Sequence, residues 1–282
     1  MRLSPKLTQR FAWGISWAAG VSTLLILLVI VGYVVTRGLS AIDFEFLLTP
    51  PEGGLTAEGG ISTVIVSTIY LVGITLVFLT PLGIGAAIYL AEYARDNWLT
   101  RLIRYGIELL AGVPSIVFGL FGFLVFVRLL GFGFSILAGA LTLVCLLLPF
   151  IIRASEEAMK MVPQSYREAA LSLGATRWQT IRQVILPAAL PGIVTGVILC
   201  IGGAVAESAP LFVTMGGSHL MPASPFDQGR PLSLHIFYIA METRAFEVAM
   251  ATAVVLMVII VALNGITNWL SRRFQARMRG GI

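Results

Sequence analysis

Charge is scarce in this chain. Only 12% of its 282 residues are Asp, Glu, Lys or Arg, against 57% hydrophobic. A soluble domain cannot hide that much apolar surface, so lipid is the natural solvent. Cysteine and histidine are scarce too. Cys145 and Cys200 lie in separate apolar runs without metal-ligand spacing, which suits buried, inert side chains. His219 and His235 fall in one polar loop region and match no zinc pattern. No G-x-x-x-x-G-K-[ST] loop is present, so the chain cannot itself be a P-loop ATPase. Internal repeats and low-complexity tails are lacking as well, which leaves one membrane domain over 1–282. The first apolar run is long and has no clear cleavage signal, so it reads as a retained helix rather than a signal peptide.

What the chain does have is long apolar runs. A spanning helix needs roughly 20 apolar residues to cross ~30 Å of hydrocarbon. Six runs qualify, at about 11–35, 61–90, 105–127, 134–152, 188–213 and 246–270. The expectation is an all-α membrane protein of six transmembrane helices. Pro81, Pro114, Pro149 and Pro210 lie inside spans or near their ends, where neighbouring helices can satisfy the freed carbonyls, and read as kinks. Gly119, Gly122, Gly139, Gly192 and Gly196 offer small surfaces for close helix packing. Gly192 and Gly196 form a G-x-x-x-G, a spacing that 29 glycines make easy to meet by chance.

The formal charge of +5 invites a nucleic-acid reading, and its distribution argues against one. With the N-terminus placed in the cytoplasm, all 19 Lys and Arg fall on the cytoplasmic side except Arg37, Arg128, Arg230 and Arg244. That is the positive-inside asymmetry. Both termini are therefore expected in the cytoplasm. The segments 40–60 and 214–231 are rich in Gly, Pro and acidic or Ser residues and read as external surface connections.

One polar island interrupts the apolar pattern, 168–187, EAALSLGATRWQTIRQVILP, within a cytoplasmic loop over 154–187. Pro163 suits the first turn of a helix. Tyr166, Ala169, Ala170 and Leu173 form one apolar face at i, i+3, i+4 and i+7. Gly174 fits a helix stop. Thr176 and Gln179 form a capping box for a second short helix running through Trp178, Ile181 and Ile185 to Pro187, which opens the next span. Arg167, Glu168, Arg177 and Arg182 are expected on the polar sides. By pattern alone the island is either a docking surface or an amphipathic segment lying on the membrane.

The spacing Glu168-Ala169-Ala170, Gly174, Val184, Leu186-Pro187 resembles the EAA loop of ABC importer permeases, with Val in place of the usual Ile. The stretches 81–93 (PLGIGAAIYLAEY), 110–120 (LAGVPSIVFGL), 148–157 (LPFIIRASEE), 162–174 (VPQSYREAALSLG), 206–214 (AESAPLFVT) and 231–238 (PLSLHIFY) resemble the A-type permeases of phosphate-specific (Pst) importers. This resemblance implies a type I importer permease fold whose coupling helix docks on an ATPase. Glu168, Ala169, Ala170, Gly174 and Arg177 would form that docking surface. It further implies a second, C-type permease, an ATP-binding subunit dimer that holds the ATP and magnesium, and a phosphate-binding protein. This chain would bind no cofactor, hydrolyse nothing, and sit in the cytoplasmic membrane of a prokaryote.

The resemblance also points to the pathway. Arg153 ends the fourth run and matches a basic residue associated with phosphate passage; its planar guanidinium can bind an oxyanion through two hydrogen bonds. Glu207 and Ser208 match the family's G-E-T-A-P-L segment. An ionised carboxylate inside a span is costly unless paired or hydrated, so Glu207 is expected to hold a cation, such as an arginine, at a gate. The family's arginine four residues before that Glu would fall at Gly203. Glu108, four residues after Arg104, is expected to pair with it locally. Three other readings stay open. They are a permease for another oxyanion such as molybdate or phosphonate, an ion-coupled secondary carrier, and a membrane-embedded enzyme. A carrier would show inverted repeats and a midplane relay. An enzyme would show clustered catalytic groups.

Overall fold

The computed structural model describes residues 5–52, 58–243 and 245–279. Arg2, Gly53, Gly54 and Arg244 of the charge and loop expectations lie outside the described residues. The chain opens with α1 (Pro5–Gly38), a helix α2 (Phe44–Leu48) and a short antiparallel pair, β1 (Pro51–Glu52) and β2 (Glu58–Gly59). Then come α3 (Ser62–Ile88), α4 (Trp98–Ala111), α5 (Ser115–Gly122) and α6 (Ile136–Lys160). The loop expected over 154–187 holds α7 (Gln164–Ser172) and α8 (Arg177–Thr180), followed by α9 (Leu186–Ala206) and α10 (Ala209–Phe212). α11 (Leu232–Tyr238) and α12 (Phe246–Arg279) complete the described elements. Four helices carry π-helical turns at or beyond their C-terminal ends, at Tyr89–Tyr93, Phe123–Leu129, Ile181–Ile185 and Ile239–Thr243.

Among the described residues five helices are long and apolar enough to span a membrane. The expected run 105–127 is different. It is not a straight helix but a pair, Trp98–Ala111 and Ser115–Leu129, bent by 103°, and together they make the sixth candidate span. The break falls at Gly112, Val113 and Pro114. Proline pushes the residue before it out of the helical region, and Pro114 caps α5 in an extended conformation (φ −57°, ψ 138°). α4 is amphipathic: Arg101, Arg104 and Glu108 alternate with exposed Leu99, Leu102, Tyr105 and Leu109.

α6 is the axis of the fold. α3 packs on one side of it and α9 on another, with α5 and α10 closing a third. Leu71 and Leu79 of α3, Leu143, Leu147 and Ile151 of α6, and Cys200 and Ala204 of α9 share one buried cluster. Cys145 and Cys200 are both unpaired, and Cys200 is buried as expected. α12 packs against α9 and α11, and α1 against α12. α1 leaves its apolar faces uncovered from Phe11 to Tyr33.

The five interface glycines all sit where helices touch. A Cβ on Gly119 would lie 2.7 Å from Pro210 Cα, on Gly139 2.5 Å from Met215 Cγ, and on Gly122 against Thr142. Gly192 and Gly196 pack on Ala158 and Ala154 of α6, where an added Cβ would stand 2.6 and 2.7 Å from their methyl groups. The G-x-x-x-G thus meets an A-x-x-x-A across the α6–α9 contact.

The segment 214–231 is more than a surface connection. It folds over the N-terminus of α6 and fills the hydrogen-bonding positions that a helix start leaves open. Ile136 N donates to Asp227 O (2.9 Å), Leu137 N to Pro225 O (2.8 Å), and Ala138 N to Ser135 Oγ (3.1 Å). Asp227 in turn accepts from Ala223 N and Ser224 N. His235 is not in a loop either. It lies on α11, 2% exposed, and its Nδ1 has no hydrogen-bond partner among the described residues. Burial first, then the Arg230 and His219 charges, push its pKa down to about 4, so it is neutral at physiological pH.

Gly83 of α3 faces Ile151 of α6 so closely that a Cβ there would collide with the isoleucine Cγ2, whereas Gly73 on the same helix has nothing within 4 Å. Gly83→Val is expected to lower stability by ~1–3 kcal/mol through overpacking. Gly73→Val is expected to leave it nearly unchanged. Thermal unfolding of the two variants in detergent checks the contrast.

Candidate functional site

Two places draw the sequence-predicted residues together: the polar island with α7 and α8, and a cavity between α5, α6 and α9.

The island is built by local signals. Pro163 stands at the N-cap of α7, one position before the first turn where the sequence pattern places it. Gly174 closes α7 in the left-handed region (φ +83°), a conformation that glycine adopts without a Cβ clash. The capping box is present: Thr176 N donates to Gln179 Oε1 (2.8 Å), and Gln179 N donates to Thr176 Oγ1 (3.3 Å). The second helix is not separate from the span. Arg177–Ala206 runs as one unit through the π turn Ile181–Ile185, and Pro187 sits in the first turn of α9. A wider turn absorbs the hydrogen bond that proline cannot donate.

The apolar face expected over Tyr166, Ala169, Ala170 and Leu173 is turned outward. Tyr166 is 52% exposed and Leu173 90%, with Met161 (84%), Trp178 (53%) and Leu171 (49%) alongside. Glu168, Ala169, Gly174 and Arg177 are exposed and Ala170 is half-buried. Arg167 is a correction. It does not lie on a polar outer side but points inward, its side chain 15% exposed, and pairs with Glu92 at 2.7 Å. Its partner is 75 positions earlier, beyond the reach of any local pattern.

The cavity has a volume of about 520 Å³ and is lined by Ser115 at the α4–α5 break, Leu147, Phe150 and Ala154 of α6, and Gly196, Gly203 and Glu207 of α9 and its end. Glu207 does not lie within the fifth helix as the hydropathy pattern suggests. It is the C-cap of α9, extended (φ −71°, ψ 133°) and half-buried, at the rim of an otherwise apolar space. Its backbone carbonyl accepts from Ser233 Oγ of α11 (2.7 Å). Among the described residues no arginine or lysine lies within salt-bridge distance of its carboxylate. Gly203 opens on the same cavity, with Leu147 3.1 Å from where its Cβ would stand. Ser208, half-buried, begins α10 and accepts from Phe212 N through its backbone carbonyl.

Arg153 is not brought to Glu207. It lines a separate pocket of about 240 Å³ with Arg104, Glu108, Glu156, Glu157 and Lys160. There Arg153 pairs with Glu108 of α4 at 3.2 Å, and Arg104 pairs with Glu156 of α6 at 2.6 Å. The local Arg104–Glu108 pair expected from i,i+4 spacing is thus replaced by two cross-helix pairs. Glu156 is 8% exposed and also accepts Lys160 at 2.7 Å. A buried carboxylate outcompetes an exposed one for a cation, because its alternative is to stay unsolvated. Glu92, Glu156 and the Arg104 contact to Leu90 O (2.9 Å) are the functional-looking contacts that sequence reasoning missed. The stretches 81–93 and 148–157, which contain Glu92 and Glu156, were the signals that hinted at them.

The fold is shared with solved ABC importers. A bacterial alginate ABC transporter in complex with a pentasaccharide-bound periplasmic protein aligns over 98% of this chain and 99% of its own, with TM-score 0.71 at 16% identity. An inward-facing MetNI methionine ABC transporter aligns over 78% and 94%, with TM-score 0.55 at 22% identity. These likenesses show the fold, that of type I ABC importer permeases. The model of the family described as the binding-protein-dependent transport system inner membrane component matches residues 79–280, and the chain belongs to that family, among its PstA-type permeases. Probable ABC transporter permease protein YqgI of Bacillus subtilis (strain 168) is 34% identical over 98% of this chain and 99% of its own length. Phosphate transport system permease protein PstA of Yersinia pestis is 35% identical over 96% and 91%. PstA 1 of Mycobacterium tuberculosis (strain ATCC 25618 / H37Rv) is 34% identical over 82% and 77%. The chain is a multi-pass inner membrane protein and a transport component rather than a catalyst.

Removing the Thr176 hydroxyl takes away the acceptor that holds Gln179 N. Thr176→Ala is expected to cost about 1 kcal/mol, concentrated at the start of α8. Hydrogen–deuterium exchange checks it: protection falls at 176–180 and stays unchanged in α6.

Proposed function

We propose that this chain is the A-type transmembrane subunit of an ATP-driven importer of inorganic phosphate. The observation that carries the reading is the island: a rigid, doubly capped pair of helices that displays Tyr166, Leu171, Leu173 and Trp178 uncovered. A membrane-surface segment would need no such capping, whereas a docking surface needs a fixed shape. The occupant is a nucleotide-binding subunit, which holds ATP and magnesium. Small Ala169 and Gly174 permit close approach, and Glu168 and Arg177 supply charge at the rim. Phosphate as cargo rests on the PstA relatives at 34–35% identity.

A second, C-type permease completes the pathway across the open face of the Glu207 cavity. A phosphate-binding protein delivers cargo to the external loops 40–60 and 214–231. Both termini are cytoplasmic, in keeping with the positive-inside asymmetry. ATP binding closes the ATPase dimer and moves the coupling helices, the pathway switches from inward- to outward-facing, and hydrolysis resets it. Arg153, Glu207 and Ser208 are the pathway and gate residues on this subunit. Glu207 repels an anion directly, so its role is to hold a cation of the partner permease when the two halves close.

A permease for another oxyanion, molybdate or phosphonate, is the second reading. It is favoured by Gly203, which leaves the cavity without the family's arginine. An ion-coupled carrier gives the island no purpose. The test is co-purification with an ATPase, then ATP hydrolysis by the reconstituted complex with each anion. Phosphate stimulation is expected. Failure to recruit an ATPase would sink the reading, and stimulation by molybdate alone would select the second one. Glu207→Gln is expected to slow phosphate uptake by about tenfold, equivalent to ~1.4 kcal/mol. Unchanged uptake would remove Glu207 from the gate.

A further inference from the structure

We propose that the Arg167–Glu92 pair is the joint through which the coupling helix moves the membrane core, with both residues acting as positioning residues. This rests on the reading of the island as an ATPase dock and assigns a transmission element to it.

Arg167 stands in α7, and its guanidinium is used on every side. Nη2 reaches Glu92 Oε1 at 2.7 Å, and Nε lies 3.3 Å from both Glu92 oxygens. Nη1 donates to Val162 O (2.7 Å) and Nη2 to Met159 O (2.9 Å). Met159 lies in the last turn of α6 and Val162 just beyond its end, where the helix dipole favours a cation. Glu92 belongs to the π turn that ends α3. One cation therefore ties the coupling helix to the ends of both α3 and α6. Side-chain exposure is 15% and 11%, so this pair is shielded from the solvent that makes surface pairs loose.

The main packing of α7 is against its own neighbours, α8 and the π turn Ile181–Ile185. Arg167 links it to Glu92 in the π turn Tyr89–Tyr93 that ends α3. That π turn is also held by Arg104 of α4, which donates to Leu90 O and pairs with Glu156 of α6. Two arginines from different helices thus grip adjacent parts of one turn, and π turns recur at functional sites. A displacement of α7 is delivered to α3 and to α6, and α6 supplies one wall of the Glu207 cavity.

The experiment uses the full complex of both permeases, ATPase and binding protein in liposomes, with phosphate uptake and ATP hydrolysis measured in parallel. The variants are Glu92→Gln, Arg167→Lys and the double Glu92→Gln/Arg167→Gln. The double variant leaves no unpaired buried charge, so it keeps the test alive if the single carboxylate loss prevents folding. Asp96→Asn, in an exposed 3.9 Å pair at the same corner, is the control. The expected result is normal recovery of the complex and near-normal hydrolysis, with uptake down about tenfold or more, so that ATP spent per phosphate rises by that factor. Arg167→Lys keeps the charge but not the fork and is expected to fall between wild type and the double variant. Wild-type coupling in both Glu92→Gln and the double variant would overturn the joint. So would a loss of uptake and hydrolysis in step with lost complex. If the wild-type chain recruits no ATPase, the docking reading itself falls, which is a distinct outcome.

Discussion

A peptide group in hydrocarbon has no water to bond, and everything in this structure answers to that constraint. It makes the described core helical, and it dictates where the helices are allowed to stop. α6 begins only because Ser135, Asp227 and Pro225 supply acceptors for its first amide groups. α6 ends where the Arg167 guanidinium donates to Met159 O of its last turn and to Val162 O just beyond it. Prolines lie within α3, α6 and α9, where packed neighbours surround the backbone they interrupt. Residues that look like loop and charge in the sequence are, in the fold, the terminators of the buried axis.

The same low dielectric sorts the charges. Carboxylates at the ends of α3 and α6 are nearly covered, and each has collected cations from another element: Glu92 from α7, Glu156 from α4 as well as from its own helix. The result is a layer of cross-helix pairs at the level where the apolar cluster ends and the island begins. The cavity at Glu207 shows the reverse arrangement: a carboxylate at the rim of an apolar wall, with no cation within salt-bridge distance among the described residues.

Local signals were legible and distant ones were not. The capping box at Thr176 and Gln179 and the stop at Gly174 need only neighbouring residues, and both are where the pattern puts them. Hydropathy found the spans because burial in lipid depends on composition. It missed the turn at Gly112–Val113–Pro114 because hydropathy carries no direction, although a glycine two residues before a proline was a usable sign. Gly192 and Gly196 were recognisable as a contact surface, but Ala154 and Ala158 on the other side were not. Arg167, Arg104 and Glu108 were misplaced for one reason. A charged side chain is assigned to its nearest neighbours in sequence, while the energy is decided by whichever carboxylate folding has deprived of water. Arg153, expected at the end of its span, lies inside α6, which continues to Lys160, and its place in a pocket separate from Glu207 was illegible.

The bend between α4 and α5 shortens the straight run of helix behind it. The eight residues of α5 and the seven of the following π segment extend at most roughly 22 Å at the α-helical rise of 1.5 Å per residue, less than the ~30 Å of hydrocarbon. α4, its charged side tied to α6, turns away from that short segment rather than prolonging it. A segment shorter than the bilayer is accommodated by local thinning of the lipid or by its packed neighbours. The mismatch falls at the helix whose first residue, Ser115, opens on the Glu207 cavity.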